Sequence, residues 1–229
     1  MKHLFSFLFL SLIYLSVDGA HAANRWAVCI TTCTWDAADT SMWSSVGSGG
    51  ATGASVPGSG DAVILDNLTC VGGVTCTITV NTTVNVQSIT MGTCTASTTG
   101  CILTFVANNN NVTLSASPGL SNTGTGIRQL LMGNGQWTFS QTNGNIIDHT
   151  TITNLMFNSN GSTILIQAAS APTTSRAMIL NTLTYNAITI NDPVDTSLNP
   201  VATTGAATIT TLTLTNAPYF QLAGGVTTI

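Results

Sequence analysis

The sequence contains very little charge. Its 229 residues include no glutamate and a single lysine, Lys2, and charged residues make up only 5% of the chain. So few basic side chains cannot neutralise a run of phosphates, which argues against nucleic acid as a partner. The same scarcity excludes a polybasic patch that would hold the chain on an anionic membrane surface.

Residues 1–22 have the pattern of an export signal. A basic start precedes the largely apolar run 4–17, and Ala20-His21-Ala22 provides the small-x-small pattern that signal peptidase recognises. The run is short for a membrane span of about 20 residues, so we predict cleavage, with an uncleaved anchor as the alternative. The mature chain would begin at Ala23 and carry three arginines against seven aspartates, a net charge of −4.

The high threonine content indicates the fold class. The chain has 41 threonines, with abundant Val, Ile and Leu between them, and 44% hydrophobic residues overall. β-branched side chains fit a pleated, half-buried surface, and this hydrophobic content is too high for a disordered low-complexity chain. We therefore predict one all-β unit of about 200 residues, which is long enough to bury a sizeable core.

The six cysteines all lie downstream of the export signal, where disulfides form. They lie in three pairs that are close in sequence, and this spacing favours a disulfide within each pair. A zinc site is the alternative, but one mature histidine and the absence of CxxC spacing argue against it. The candidate disulfide residues are Cys29, Cys33, Cys70, Cys76, Cys94 and Cys101.

A repeat recurs in the second half of the chain. Three segments share the pattern apolar-x-x-Leu-x-apolar, and their anchors Leu155, Leu183 and Leu212 are almost evenly spaced. Two or three short strands per period suit one coil of a β-solenoid, in which each coil stacks its apolar side chains on the next. We predict a right-handed β-helix over residues 67–229, preceded by an N-terminal capping segment over residues 23–66. A β-sandwich is the alternative, because it too has regularly spaced short strands.

Clusters of Gly and Asn predict the corners of the coils, because both residues tolerate positive φ. Residues 108–111 have two interpretations, an exposed loop, which we prefer, and an amide ladder between coils. Residues 226–229 resemble a strand without a polar cap, so we expect further coils or another subunit to cover that end. The predicted corners are residues 108–111, 119–126, 133–135, 143–145, 158–161 and 224–225.

The capping segment, residues 23–66, which we call the leader, contains several short motifs. They are Arg25-Trp26-Ala27-Val28, Trp35-Asp36, Trp43-Ser44, Val56-Pro57-Gly58 and Asp61-Ala62-Val63-Ile64-Leu65. Together they resemble the leader of repetitive β-solenoid proteins from environmental tailed phages and of bacterial surface proteins. They are also similar to the eight-glycine domain of large extracellular proteins. The resemblance implies an architecture and a structural role, and it carries over no catalytic residue.

Four aspartates of the leader are the candidate cation ligands, since calcium binds several oxygens at once. They are Asp36, Asp39, Asp61 and Asp66. Their spacing matches no calcium loop, and aspartate is common in turns. We therefore predict no cofactor and retain calcium as the alternative.

The leader tryptophans Trp26, Trp35 and Trp43 have two interpretations. They could stack on sugar rings, as in a carbohydrate-binding module. We favour a cap that closes the open end of the first coil, because each ring buries a large apolar area.

His149 is the only mature histidine, and it follows Asp148. Adjacent residues in a strand point to opposite faces, so Asp148 could not orient that ring in a catalytic triad. We expect a surface or turn histidine. Asp148 and Arg176 are one repeat length apart, which would make them stacked neighbours. The conservative interpretation is an exposed ion pair that contributes little to stability.

These patterns predict a non-catalytic structural or attachment protein, secreted, at a cell surface or in a virion. We expect a homo-oligomer or larger assembly, with a cell-surface glycan as a further partner. One alternative is a polysaccharide-degrading β-helix enzyme that uses paired aspartates, and the other is a carbohydrate-binding module. Two aspartates about 5–10 Å apart in a groove would favour the enzyme.

Overall fold

The computed structural model describes residues 23–66, 69–70, 75–92, 102–193, 201–216 and 220–222. These residues are all-β without a helix, and their parallel sheets stack into a β-solenoid of about 5 turns. The predicted solenoid is confirmed, and the β-sandwich alternative is wrong. Within the same residues no helix could span a membrane. The handedness of the coils stays a prediction. The predicted export signal, residues 1–22, and the predicted C-terminal strand, residues 226–229, lie outside the described part.

The first sheet has nine strands. They are β1 (Ala23–Ala27), β3 (Trp43–Ser44), β4 (Asp61–Leu65), β7 (Ser88–Met91), β10 (Leu120–Asn122), β13 (Gly144–Asp148), β16 (Arg176–Ile179), β18 (Val201–Thr204) and β20 (Phe220–Leu222). Neighbouring strands are parallel except for β3, which pairs antiparallel with β1 at the edge of the sheet.

The second and third sheets are parallel throughout. The second consists of β2 (Thr32–Trp35), β5 (Cys76–Val80), β8 (Leu103–Val106), β11 (Arg128–Leu131) and β14 (Leu155–Asn158). The third consists of β6 (Val84–Val86), β9 (Val112–Leu114), β12 (Gln136–Phe139), β15 (Thr163–Ile166), β17 (Thr184–Asn191) and β19 (Thr208–Asn216).

A full coil takes one strand from each sheet in turn. The set β4, β5, β6 is the first complete coil, and three further coils repeat this order as far as β15. From β16 onward the described strands alternate between the first and third sheets, so the second sheet ends at β14. The later coils are therefore built on two sheets.

Inward-facing side chains form continuous columns, because parallel register places equivalent positions of successive coils beside each other. The first-sheet column is fully buried, and the third-sheet column is at most 1% exposed. Each such side chain contributes about 1.5–3 kcal/mol on burial. The first-sheet column is Val63, Ile89, Leu120, Ile147 and Met178. The third-sheet column is Val86, Leu114, Phe139, Ile166 and Ile190.

The leucine-anchored repeat was wrong in its register. Leu212 pairs with Ile188 rather than Leu183, so this coil of the third sheet is shorter than the predicted repeat. Between its first two copies the pattern is reproduced at its end, where the rings of Phe157 and Tyr185 lie 5.0 Å apart. Coil length therefore varies along the chain, and a fixed period cannot align it.

The corner between the second and third sheets carries an amide ladder. Asn134 Nδ2 donates to Asn109 Oδ1 at 2.8 Å, and Asn134 Oδ1 accepts from the Gly161 N–H at 3.0 Å. Nearer the leader, Asn81 Nδ2 donates to Asp36 Oδ1 at 2.8 Å. The preferred interpretation of residues 108–111, an exposed loop, was therefore incomplete, because its amides bind the next coil.

Three of the five predicted corners that lie in the described residues are turns, and two are not. Residues 108–111, 133–135 and 158–161 turn as expected. Residues 119–126 were wrongly assigned as a corner, because they contain β10 (Leu120–Asn122). Residues 143–145 were also wrongly assigned, because β13 begins at Gly144. Residues 224–225 lie outside the described part of the chain.

Gly133 makes the close stacking of this corner possible. Its φ is +71°, and a Cβ there would lie 1.3 Å from the carbonyl oxygen of Asn108. That same carbonyl accepts a hydrogen bond from the Asn134 N–H at 2.8 Å. Only glycine combines this conformation with such an approach.

We expect Gly133→Ala to lower the free energy of unfolding by about 2–5 kcal/mol, because it adds left-handed strain and a backbone clash. The measurement is urea unfolding followed by circular dichroism. Gly58→Ala is the matched control, since a Cβ at Gly58 meets no atom within 4 Å. Equal effects of the two substitutions would contradict the role of Gly133.

Candidate functional site

Two tryptophans of the leader pack against each other and are buried. Trp35 and Trp43 are 1% and 0% exposed, and their rings meet edge to face with centroids 4.8 Å apart. Trp43 lies in β3, the antiparallel strand at the edge of the first sheet, whereas Trp26 in β1 is half-buried. Trp35 and Trp43 therefore offer no ring face to a sugar.

Two predicted disulfides are present in the first two coils. Cys29 is bonded to Cys33 and Cys70 to Cys76, with Cα atoms 5.8 Å and 5.3 Å apart. Cys29 and Cys70 also form a parallel bridge, so the two disulfides occupy neighbouring coils. Local pairing is confirmed for these couples. Cys94 and Cys101 lie outside the described residues.

Two leader aspartates share a cleft of about 630 Å³. Asp36 and Asp39 line it, together with β2 and the segment that leads to Met42. The Asp39 carboxylate accepts hydrogen bonds from the side chain and the backbone N–H of Ser41, which lower its pKa. Asp39 is therefore ionised at neutral pH and is not a proton donor.

The other leader aspartates have separate partners. Asp61 accepts from the Gly58 N–H at 2.9 Å and lies 3.6 Å from the Arg25 guanidinium. The backbone N–H of Asp66 donates to Thr69 Oγ1 at 2.9 Å. In the part of the chain that the structure describes, no three acidic, histidine or cysteine side chains are grouped to hold a metal ion.

His149 lies in the interior, so its assignment to the surface was wrong. It is 0% exposed, its Nδ1 is 2.7 Å from the Tyr185 hydroxyl, and its ring packs edge to face on Phe157. Burial lowers its pKa to about 3, with a smaller contribution from the positive charge of Arg128, while Asp148 opposes the shift.

Asp148 faces away from the His149 ring, as the alternation of a strand predicted. Its carboxylate accepts hydrogen bonds from Thr150 and Asn145. These hydrogen bonds lower the pKa of Asp148 even though burial, the largest single effect, opposes them. Asp148 and His149 therefore do not form the acid–base pair of a catalytic triad.

The expected stacking of Asp148 on Arg176 was also wrong. In the parallel pairing Arg176 lies beside Gly144, and Asp148 lies beside Ile179. Arg176 instead forms an ion pair with Asp192, and both side chains are 1% exposed. Removing one partner of a buried pair costs about 3–5 kcal/mol, so this contact is structural.

The outer face of the third sheet is a regular, uncharged surface. Its side chains are half-buried or exposed, and most are threonine. We call this surface the threonine face, and sequence periodicity missed it because the coil register was unknown. One column is Asn85, Thr113, Thr138, Leu165, Thr189 and Thr213. The adjacent column is Gln136, Thr163, Ala187 and Thr211.

No family model, curated protein or solved structure matches this chain. Its fold and the geometry of its surfaces are therefore the observations that bear on function.

The buried imidazole predicts a loss of stability in acid. The pKa of His149 is about 3 when folded and 6.5 when free, so the unfolded chain binds the proton first as pH falls below 6.5. Between pH 7 and 5 we expect the wild-type chain to lose about 2 kcal/mol of unfolding free energy from this group.

The measurement is urea unfolding at both pH values, with His149→Gln as the test variant. Glutamine has an amide oxygen that can accept from the Tyr185 hydroxyl, and it does not titrate in this range. We expect the variant to be less stable at pH 7 but nearly independent of pH. An unchanged pH dependence in this variant would show that another group is responsible.

Proposed function

We propose that this chain is a non-catalytic structural β-solenoid whose threonine face mediates attachment or assembly. The observation that carries the proposal is the composition of that face. All ten of its positions are uncharged, and six of them are threonine.

Such a face suits a broad, neutral contact. Neighbouring strands are about 4.8 Å apart, so six strands form a surface roughly 24 Å long. Threonine is stiff about χ1 and loses little entropy on binding. Its hydroxyl can both donate and accept a hydrogen bond, so the partner we infer is a hydroxyl-rich glycan or a second copy of this face.

The setting that we propose is outside the cell, as a bacterial surface adhesin or a fibre segment of a phage particle. Two disulfides support an oxidising compartment. The resemblance of the leader to phage and bacterial surface solenoids supports the same setting.

The alternative is a polysaccharide hydrolase that uses the cleft of Asp36 and Asp39. Such an enzyme usually needs one carboxyl group with a raised pKa to protonate the leaving oxygen. The hydrogen bonds from Ser41 lower the pKa of Asp39 instead. The other carboxylate of the cleft, Asp36, accepts a hydrogen bond at Oδ1 from Asn81.

The test is the mass of the mature protein by light scattering, together with binding to immobilised cellulose, chitin and mucin glycans. We expect an assembly larger than one chain, or retention on a glycan. Thr138→Lys should abolish either behaviour, because it places an ammonium group in the middle of the neutral face. Thr79→Lys is the matched control on the outer face of the second sheet, and it should leave both unchanged.

Two outcomes would overturn the proposal. One is a monomer that binds none of these surfaces. The other is release of reducing sugar ends that is lost in both Asp36→Asn and Asp39→Asn, which would establish the hydrolase instead.

A further inference from the structure

Three buried polar side chains lie inside the corner between the first and second sheets. Asn122, Arg128 and His149 are 2%, 0% and 0% exposed. Ser121 pairs with Asp148 in adjacent parallel strands, and Asn122 and His149, the residues that follow this pair, therefore lie side by side. We call these three residues the inner corner.

Arg128 connects two successive coils through its guanidinium. Nη1 donates to the Gly126 carbonyl at 2.8 Å, and Nη2 donates to the Thr151 carbonyl at 3.0 Å. Burial lowers the pKa of Arg128, but a guanidinium stays protonated at neutral pH. Among the residues that the structure describes, no carboxylate lies within ion-pair distance of this positive charge.

Each residue of the inner corner has a hydrogen-bond donor without a partner in the described chain. These donors are Arg128 Nε, Asn122 Nδ2 and His149 Nε2. His149 is a donor at Nε2 when its Nδ1 accepts from the Tyr185 hydroxyl, 2.7 Å away. Three unpaired donors beside an uncompensated charge are expensive to bury.

We propose that the inner corner binds one small monovalent anion of the size of chloride. The anion would accept from the three free donors and neutralise the guanidinium. A water molecule fits less well, because it adds no charge and Asn122 Oδ1 is the one unpaired acceptor of these three side chains. Asp148 lies on the strand beside Ser121, but its carboxylate is bound to Thr150 and Asn145.

The first test is thermal unfolding of the full chain in sodium chloride, with sodium gluconate replacing chloride at constant ionic strength. Gluconate is too bulky for an interior site, so only chloride should stabilise the fold. At chloride a hundredfold above its Kd, mass action raises the Tm by roughly 5–10 °C.

A matched pair of variants tests the position of the site. Asn122→Asp supplies a carboxylate within the inner corner, so its Tm should no longer depend on chloride. Asn24→Asp makes the same chemical change at an exposed position of β1, outside the threonine face, and its Tm should keep the full chloride dependence. Equal chloride dependence in both variants would overturn the proposal.

A crystal soaked in sodium bromide locates the anion without any variant. An anomalous peak in contact with Arg128 and Asn122 would support the site. Bromide bound only at the surface, or a water molecule in the inner corner, would overturn it. This measurement on the wild-type chain decides the question even if Asn122→Asp fails to fold.

Discussion

Parallel hydrogen bonding between successive coils is the constraint on which the structure depends. It holds each residue beside its equivalent in the next coil, so inward positions must be apolar in every coil and form columns such as Val63, Ile89 and Leu120. The same constraint brings the corners within van der Waals contact. Gly133 allows this close contact because it lacks a side chain, and Asn108 and Asn134 form hydrogen bonds between the coils.

In the leader, the edge of the first sheet is covered. The antiparallel strand β3 covers the edge that β1 would otherwise present, and Trp43 brings its ring against Trp35 beneath it. An uncovered parallel edge would be a template for pairing with other chains. The two disulfides pin short loops in these same first coils, where fewer stacked neighbours contribute stability.

Composition and local pattern were sufficient to predict the solenoid, because threonine and alternating apolar residues constrain each strand separately. They could not predict the register between coils. The coil from Ile89 to its partner Leu120 is longer than the coil from Val63 to Ile89, so a fixed period misplaced Arg176 and Leu212. A register shift between Asn145 and Ile147 decides which side of β13 faces inward. Alternation separated Asp148 from His149 but could not show which of them is buried.

The burial of the arginine side chains affects both the interior and the outer face of the solenoid. Arg128 and Arg176, the only basic residues other than histidine in the described coils after β4, are both buried, and Asp192 accompanies one of them. Burying a charge is costly, so each must be stabilised by carbonyls, a carboxylate or another anion. With the arginines inside, the threonine face is free of positive charge and presents hydroxyl, amide and methyl groups. A surface of that kind discriminates by shape and hydrogen bonding rather than by long-range electrostatics, which is the property that an attachment or stacking surface needs.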